Sequence, residues 1–205
     1  MAVPKAACTS VKAALARLDP EVTIPPEKDI TVFTWHGIYP TRRFRPHRWE
    51  EYEGWWRFTV VRDPAKRLMS VYTNRIAQMN ELKNSRKLRD GRFDLPTDPD
   101  PDFFFQNLEA YKQASSMIKH HALGAWLFTG RKPLKYDRVY RIEDLADLAA
   151  DLTERTGQKV EFPRKNKSAM ALQLSDLKPG TIDSLRPFLN REYDHLSDYY
   201  ENPLT

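Results

Sequence analysis

The sequence predicts an α/β fold, with a central, mostly parallel sheet flanked by helices in three layers. Short runs of β-branched and aromatic residues alternate with segments of helical period, the pattern produced when strands are joined by helical crossovers. Proline and glycine mark the changes, with Pro64 opening one helical stretch and Gly157 closing another. The 205 residues suffice for one ordinary domain with a real core, so residues 1–205 are expected to form a single unit.

The elements follow in order. Thr9 to Leu18 sets Val11, Ala14, Leu15 and Leu18 at helical spacing, with Thr9 or Ser10 expected to cap the first turn. Ile30 to Trp35, closed by His36-Gly37, predicts a strand with a histidine at its exit. Trp56 to Val61 predicts a second strand. Pro64 suits the first turn of the next helix, whose apolar face is Leu68, Val71, Tyr72 and Ile76.

Asn80 to Pro101 is polar, basic and rich in breakers, which predicts a surface loop. Phe103 to Phe128 predicts two helical stretches with inward aromatic residues, Arg138 to Ile142 a short strand, and Glu143 to Thr156 a helix. Ile182 to Tyr200 closes the chain helically. There is no internal repeat and no low-complexity tract.

A net charge of +5 favours an anionic partner without choosing among nucleotide, acidic sugar, nucleic acid and membrane surface. The single cysteine, Cys8, excludes an intrachain disulfide and a cysteine-rich zinc site, and fits a reducing compartment. The histidines lack the paired spacing of a zinc ligand set, so no metal is expected. No signal-like apolar segment and no window of ~18 apolar residues is present, which predicts a soluble, cytoplasmic chain without a membrane span.

Two segments carry chemistry. In Pro4-Lys5-Ala6-Ala7-Cys8-Thr9-Ser10, small residues, a lysine and two hydroxyls stand directly before a helix, whose free N–H groups and partial positive charge suit a phosphate. An ordinary capped surface helix has the same appearance. The G-x-x-x-x-G-K-[ST] nucleotide signature is absent. In Phe58 to Tyr72 a strand ends on Arg62, placed to fork onto a phosphate, and Ser70 follows on the helix; local pairing of Arg62 with Asp63 is the alternative.

Together and in this order, these segments resemble the sulfotransferases that use 3′-phosphoadenosine 5′-phosphosulfate (PAPS). The first is similar to their 5′-phosphosulfate loop and the second to their 3′-phosphate strand and helix, and the cysteine before Thr9-Ser10 resembles the Golgi carbohydrate branch. Arg141 to Leu145 and Asn166-Lys167-Ser168 extend the resemblance over nearly the whole chain. It implies a P-loop-like three-layer fold and a donor site made of Lys5, Ala6, Ala7, Cys8, Thr9, Ser10, Arg62, Ser70, Lys167 and Ser168. It also implies sulfuryl transfer to a glycan hydroxyl without a metal. The chain departs from the family in having only Met1, Ala2 and Val3 before Pro4, where a full strand is usual; either that strand is a stub or the true start lies upstream.

The resemblance makes Lys5 the stabiliser of the leaving phosphate and His36 the base, a residue whose type titrates near neutral pH. A strand-end histidine bonded to backbone is the alternative for His36. His120 and His121 are further candidates for base or acceptor contact, although neighbours in a helix face different ways. Arg42, Arg43 and Arg45, interleaved with aromatic residues, are assigned to an anionic acceptor; a solvated loop or a single-stranded nucleic-acid surface would have the same composition. Two rival functions stand beside the enzyme: a nucleotide-binding pseudoenzyme of the same fold, and a basic nucleic-acid-binding protein.

Overall fold

The computed structural model describes residues 2–162 and 171–205, the Val32 side chain excepted. Helix α1 (Cys8–Leu18) is followed by α2 (Val32–Ile38) and α3 (Pro46–Glu50), then strand β1 (Phe58–Val61). Helix α4 (Pro64–Val71) runs on into a π-helical stretch, Tyr72–Gln78. The short α5 (Arg86–Arg89) precedes α6 (Pro101–Gln106), α7 (Leu108–Ala114), α8 (Ser116–Ala122) and α9 (Trp126–Thr129). Strand β2 (Arg138–Arg141), α10 (Leu145–Thr156) and α11 (Pro179–His195) complete the order.

The chain divides into two compact units, Met1–Arg62 with Trp126–Lys165, and Asp63–Ala125 with Asn166–Thr205. The first holds the sheet. β1 and β2 pair in parallel, Phe58 opposite Arg138 through Val61 opposite Arg141. Val11 and Ala14 of α1, Val60 and Tyr140 of the strands, and Leu148 and Leu152 of α10 form one buried cluster. The protein is thus an α/β fold on a small parallel sheet, as the alternation of strand and helix predicts.

The structure overturns one predicted strand. Thr31, not a sheet, governs Ile30 to Trp35: its extended backbone (φ −118°) places its hydroxyl to accept from the Phe33 N–H, while the Thr34 hydroxyl accepts from the Thr31 N–H at 3.0 Å. This reciprocal cap satisfies donors at the helix start, and the weak strand preference of β-branched residues yields to it. His36 therefore lies on a helix. The predicted cap of α1 is corrected too: Ala7 occupies that position in the left-handed region, φ 53°, without a side-chain bond, and Thr9 and Ser10 lie inside the first turn.

The second unit is helical, around Leu68, Phe104, Tyr111, Ile118, Leu189 and Tyr193. Asp63 caps α4 by accepting from the Lys66 N–H at 2.8 Å, with Pro64 at the first helical position as predicted. Leu82 and Leu88 are buried, so the polar segment after Asn80 is anchored at two points rather than being a free surface loop. The span from Phe103 to Phe128 forms several short helices; one break is at Ser115, whose hydroxyl accepts from the Ile118 N–H and starts a new helix.

Candidate active site

Local backbone shape defines the start of the site. Lys5 (φ 68°) and Ala7 (φ 53°) both adopt left-handed conformations, unusual for side chains with a Cβ, and bracket Ala6, which is buried. The turn delivers the chain into α1, whose first N–H groups have no intrahelical acceptors. Arg62, at the end of β1, donates from Nη1 to the Lys5 carbonyl at 3.1 Å. Residues 57 apart in sequence, both expected at the donor, are thereby joined.

Inside the first turn of α1, the Thr9 hydroxyl lies 3.1 Å from Nε2 of His36. The other ring nitrogen, Nδ1, lies 3.1 Å from Nζ of Lys12, which also donates to the Thr41 hydroxyl. Lys12 is only 3% exposed, and burial holds its ammonium below the usual lysine range, partly opposed by the nearby Cys8 sulfur. Sequence reasoning missed Lys12 and Thr41. The signal for Lys12 was its position three residues after Thr9, on the same face of a helix.

Lys12 and Cys8 also line a cavity of about 540 Å³ in the first unit, together with Arg42, Trp49 and Trp55. Arg42, Arg43 and Arg45 are all exposed, but only Arg42 reaches this cavity; Arg45 bonds the Phe44 carbonyl, and the Arg43 carbonyl accepts from Arg48. Trp49 is held between Phe44, Tyr136 and the guanidinium of Arg57. These rings are therefore mostly engaged in packing the loop.

Ser70, His120 and His121 belong to the second unit. The Ser70 hydroxyl donates to the Arg67 carbonyl at 2.6 Å, so its proton is committed to its own helix. His121 is buried, and the His120 ring meets it edge-on at 5.1 Å between centroids. Lys167 and Ser168 lie outside the described residues. Among the described residues, no three histidine, cysteine or acidic side chains cluster as a metal site, and no helix is long and apolar enough to cross a membrane.

No curated protein and no solved structure matches the chain. A family model does: the one described as the sulfotransferase family matches residues 1–196, taking in the left-handed loop, the Thr9–His36 contact and the Arg62 strand end. That match covers nearly the full length, and the chain belongs to the sulfotransferase family.

Proposed function

We propose that this sulfotransferase takes the sulfuryl group from PAPS and passes it to a hydroxyl of a carbohydrate or related acceptor. In this reading the acceptor oxygen bonds to sulfur as the bond from sulfur to the bridging phosphate oxygen breaks. The hydroxyl proton passes to His36, and adenosine 3′,5′-bisphosphate leaves with its new charge facing Lys5. Thr9, Ser10 and the N-terminal N–H groups of α1 would hold the 5′ end, Arg62 the 3′-phosphate, and Arg42 an anionic group on the acceptor.

The observation that supports this most is the contact between the Thr9 hydroxyl and His36 Nε2, which brings the proposed base to the proposed phosphosulfate loop. All these side chains belong to the first unit. Calorimetry with adenosine 3′,5′-bisphosphate tests the donor, and radiolabelled transfer to a panel of glycans tests the acceptor. Micromolar or tighter binding is expected. Replacement of Lys5 by alanine should slow transfer about 10²-fold or more, the scale of a lost oxyanion-type contact, while product-nucleotide binding stays within tenfold. A folded wild-type chain that ignores this nucleotide would remove the donor assignment.

A further inference from the structure

We propose that Lys12 is a positioning residue that sets which nitrogen of His36 is basic; this rests on the reading of His36 as the base. The argument is one of donors and acceptors. A lysine ammonium has three N–H donors and no acceptor, so the nitrogen it meets at 3.1 Å, His36 Nδ1, must offer its lone pair. The ring is then neutral with its proton on Nε2, and that N–H donates to the Thr9 hydroxyl 3.1 Å away. In this state Nε2, the nitrogen beside the loop, has no lone pair with which to take a proton.

Loss of one proton from Lys12 makes the reverse arrangement available. A neutral amine has a lone pair and accepts from Nδ1–H; the imidazole proton then resides on Nδ1, and Nε2 becomes the acceptor for the Thr9 hydroxyl or for an acceptor hydroxyl in its place. The exchange balances: one proton leaves Lys12 for solvent, and the imidazole stays neutral while its proton moves from Nε2 to Nδ1. Lys12 is suited to it because its burial disfavours the ammonium.

The groups around Lys12 act in both directions. Cys8, one turn earlier on α1, favours its charge, while His36 and Thr41 bond it directly. Arg42, Arg48, Arg57 and Glu51 are the other charged residues that line the same cavity. It is burial, with Cys8 opposing it, that favours the neutral amine.

The test reads the tautomer directly, by imidazole ¹⁵N resonances of the full chain, with His36 assigned by comparison with His36→Gln. Wild-type protein at neutral pH should show Nε2 protonated and Nδ1 bare. As pH rises toward the ordinary lysine range the two signals should exchange character. Lys12→Arg, which stays charged, should hold the Nε2–H form throughout, and Lys12→Met should shift His36 toward Nδ1–H at neutral pH. A wild-type ring that is Nδ1–H at neutral pH, or a folded Lys12→Met chain with an unchanged tautomer, overturns the proposal. The pH–rate profile of transfer is read separately: an unchanged profile beside the predicted tautomer shift upholds Lys12's control and removes His36 from the proton transfer.

Discussion

Arg62 reaches back from the end of β1 to the carbonyl of Lys5, and this bond at 3.1 Å ties the strand end to the left-handed loop. Under the proposed function Arg62 has a second role, toward a phosphate, that is separable from this bond. Replacing Arg62 by alanine should lower the free energy of unfolding by about 1 kcal/mol through the lost bond, and should also weaken adenosine 3′,5′-bisphosphate by roughly tenfold or more through the lost charge. Arg62→Lys keeps the charge but not the fork, and should recover part of the affinity. Urea unfolding and calorimetry read the two effects; a loss of affinity with no loss of stability would show that the bond to Lys5 contributes little.

The helical unit depends on a buried pair. Arg67 and Glu192 form an ion pair with both side chains at 1% exposure or less, Arg67 also donates to the His121 carbonyl, and Glu192 accepts from the Ala125 N–H at 2.7 Å. Removing Glu192 takes the carboxylate from the buried guanidinium and from the Ala125 N–H, and removing Arg67 takes the guanidinium from the buried carboxylate and from the His121 carbonyl. Glu192→Ala should therefore destabilise by roughly 3–5 kcal/mol in urea unfolding, and Arg67→Ala by a similar amount. Glu192→Gln, which still offers a carbonyl oxygen to Ala125, should cost distinctly less than Glu192→Ala. Equal losses for the two variants would show that packing, not bonding, dominates at this point.

How much of this was legible in the sequence depended on whether a feature was local. β1, β2, the Pro64 start of α4 and the Gly157 end of α10 were readable because strand propensity, a fixed proline φ and a left-handed glycine act within a few residues. Ile30 to Trp35 misled because its β-branched content is strand-like, while the decisive cap lies in two hydroxyls, Thr31 and Thr34, that composition does not distinguish from strand threonines. Lys5, Thr9, His36 and Arg62 were named from their motifs, but Lys12, which meets His36, and Thr41, which meets Lys12, are joined to that group through tertiary contacts that no local pattern announces. The Arg67–Glu192 pair spans 125 residues and leaves no local trace.

Acid should weaken the protein through Asp102. Its carboxylate accepts from the Thr181 hydroxyl at 2.6 Å and the Lys178 N–H at 2.9 Å, and these bonds, led by Thr181, hold it below the ordinary value of 3.8. A depressed folded pKa means that the contribution is fully present above the unfolded value and is lost as pH falls through the folded one. In Asp102→Asn the group no longer titrates. The gap in urea midpoint between wild type and Asp102→Asn should therefore be full near about pH 6 and shrink below about pH 4. A gap of constant size across that range would mean that Asp102 acts through shape rather than charge.

The loop itself offers the sharpest structural test. Ala7 sits at φ 53°, where a Cβ crowds the backbone by about 1–2 kcal/mol relative to glycine, while glycine costs roughly 0.5–1 kcal/mol more to order from the unfolded chain. The first figure exceeds the second, so Ala7→Gly should stabilise the protein slightly, by about 0.5–1 kcal/mol. Ala6, buried between the two left-handed residues, has no such relief to gain, and Ala6→Gly should destabilise. Thermal unfolding of the two variants should move in opposite directions. Nucleotide binding by Ala7→Gly should remain within a few fold of wild type, because the conformation that presents the α1 N–H groups is the one that glycine adopts freely. If Ala7→Gly instead lowers the melting temperature as Ala6→Gly does, the left-handed conformation at Ala7 is not a source of strain.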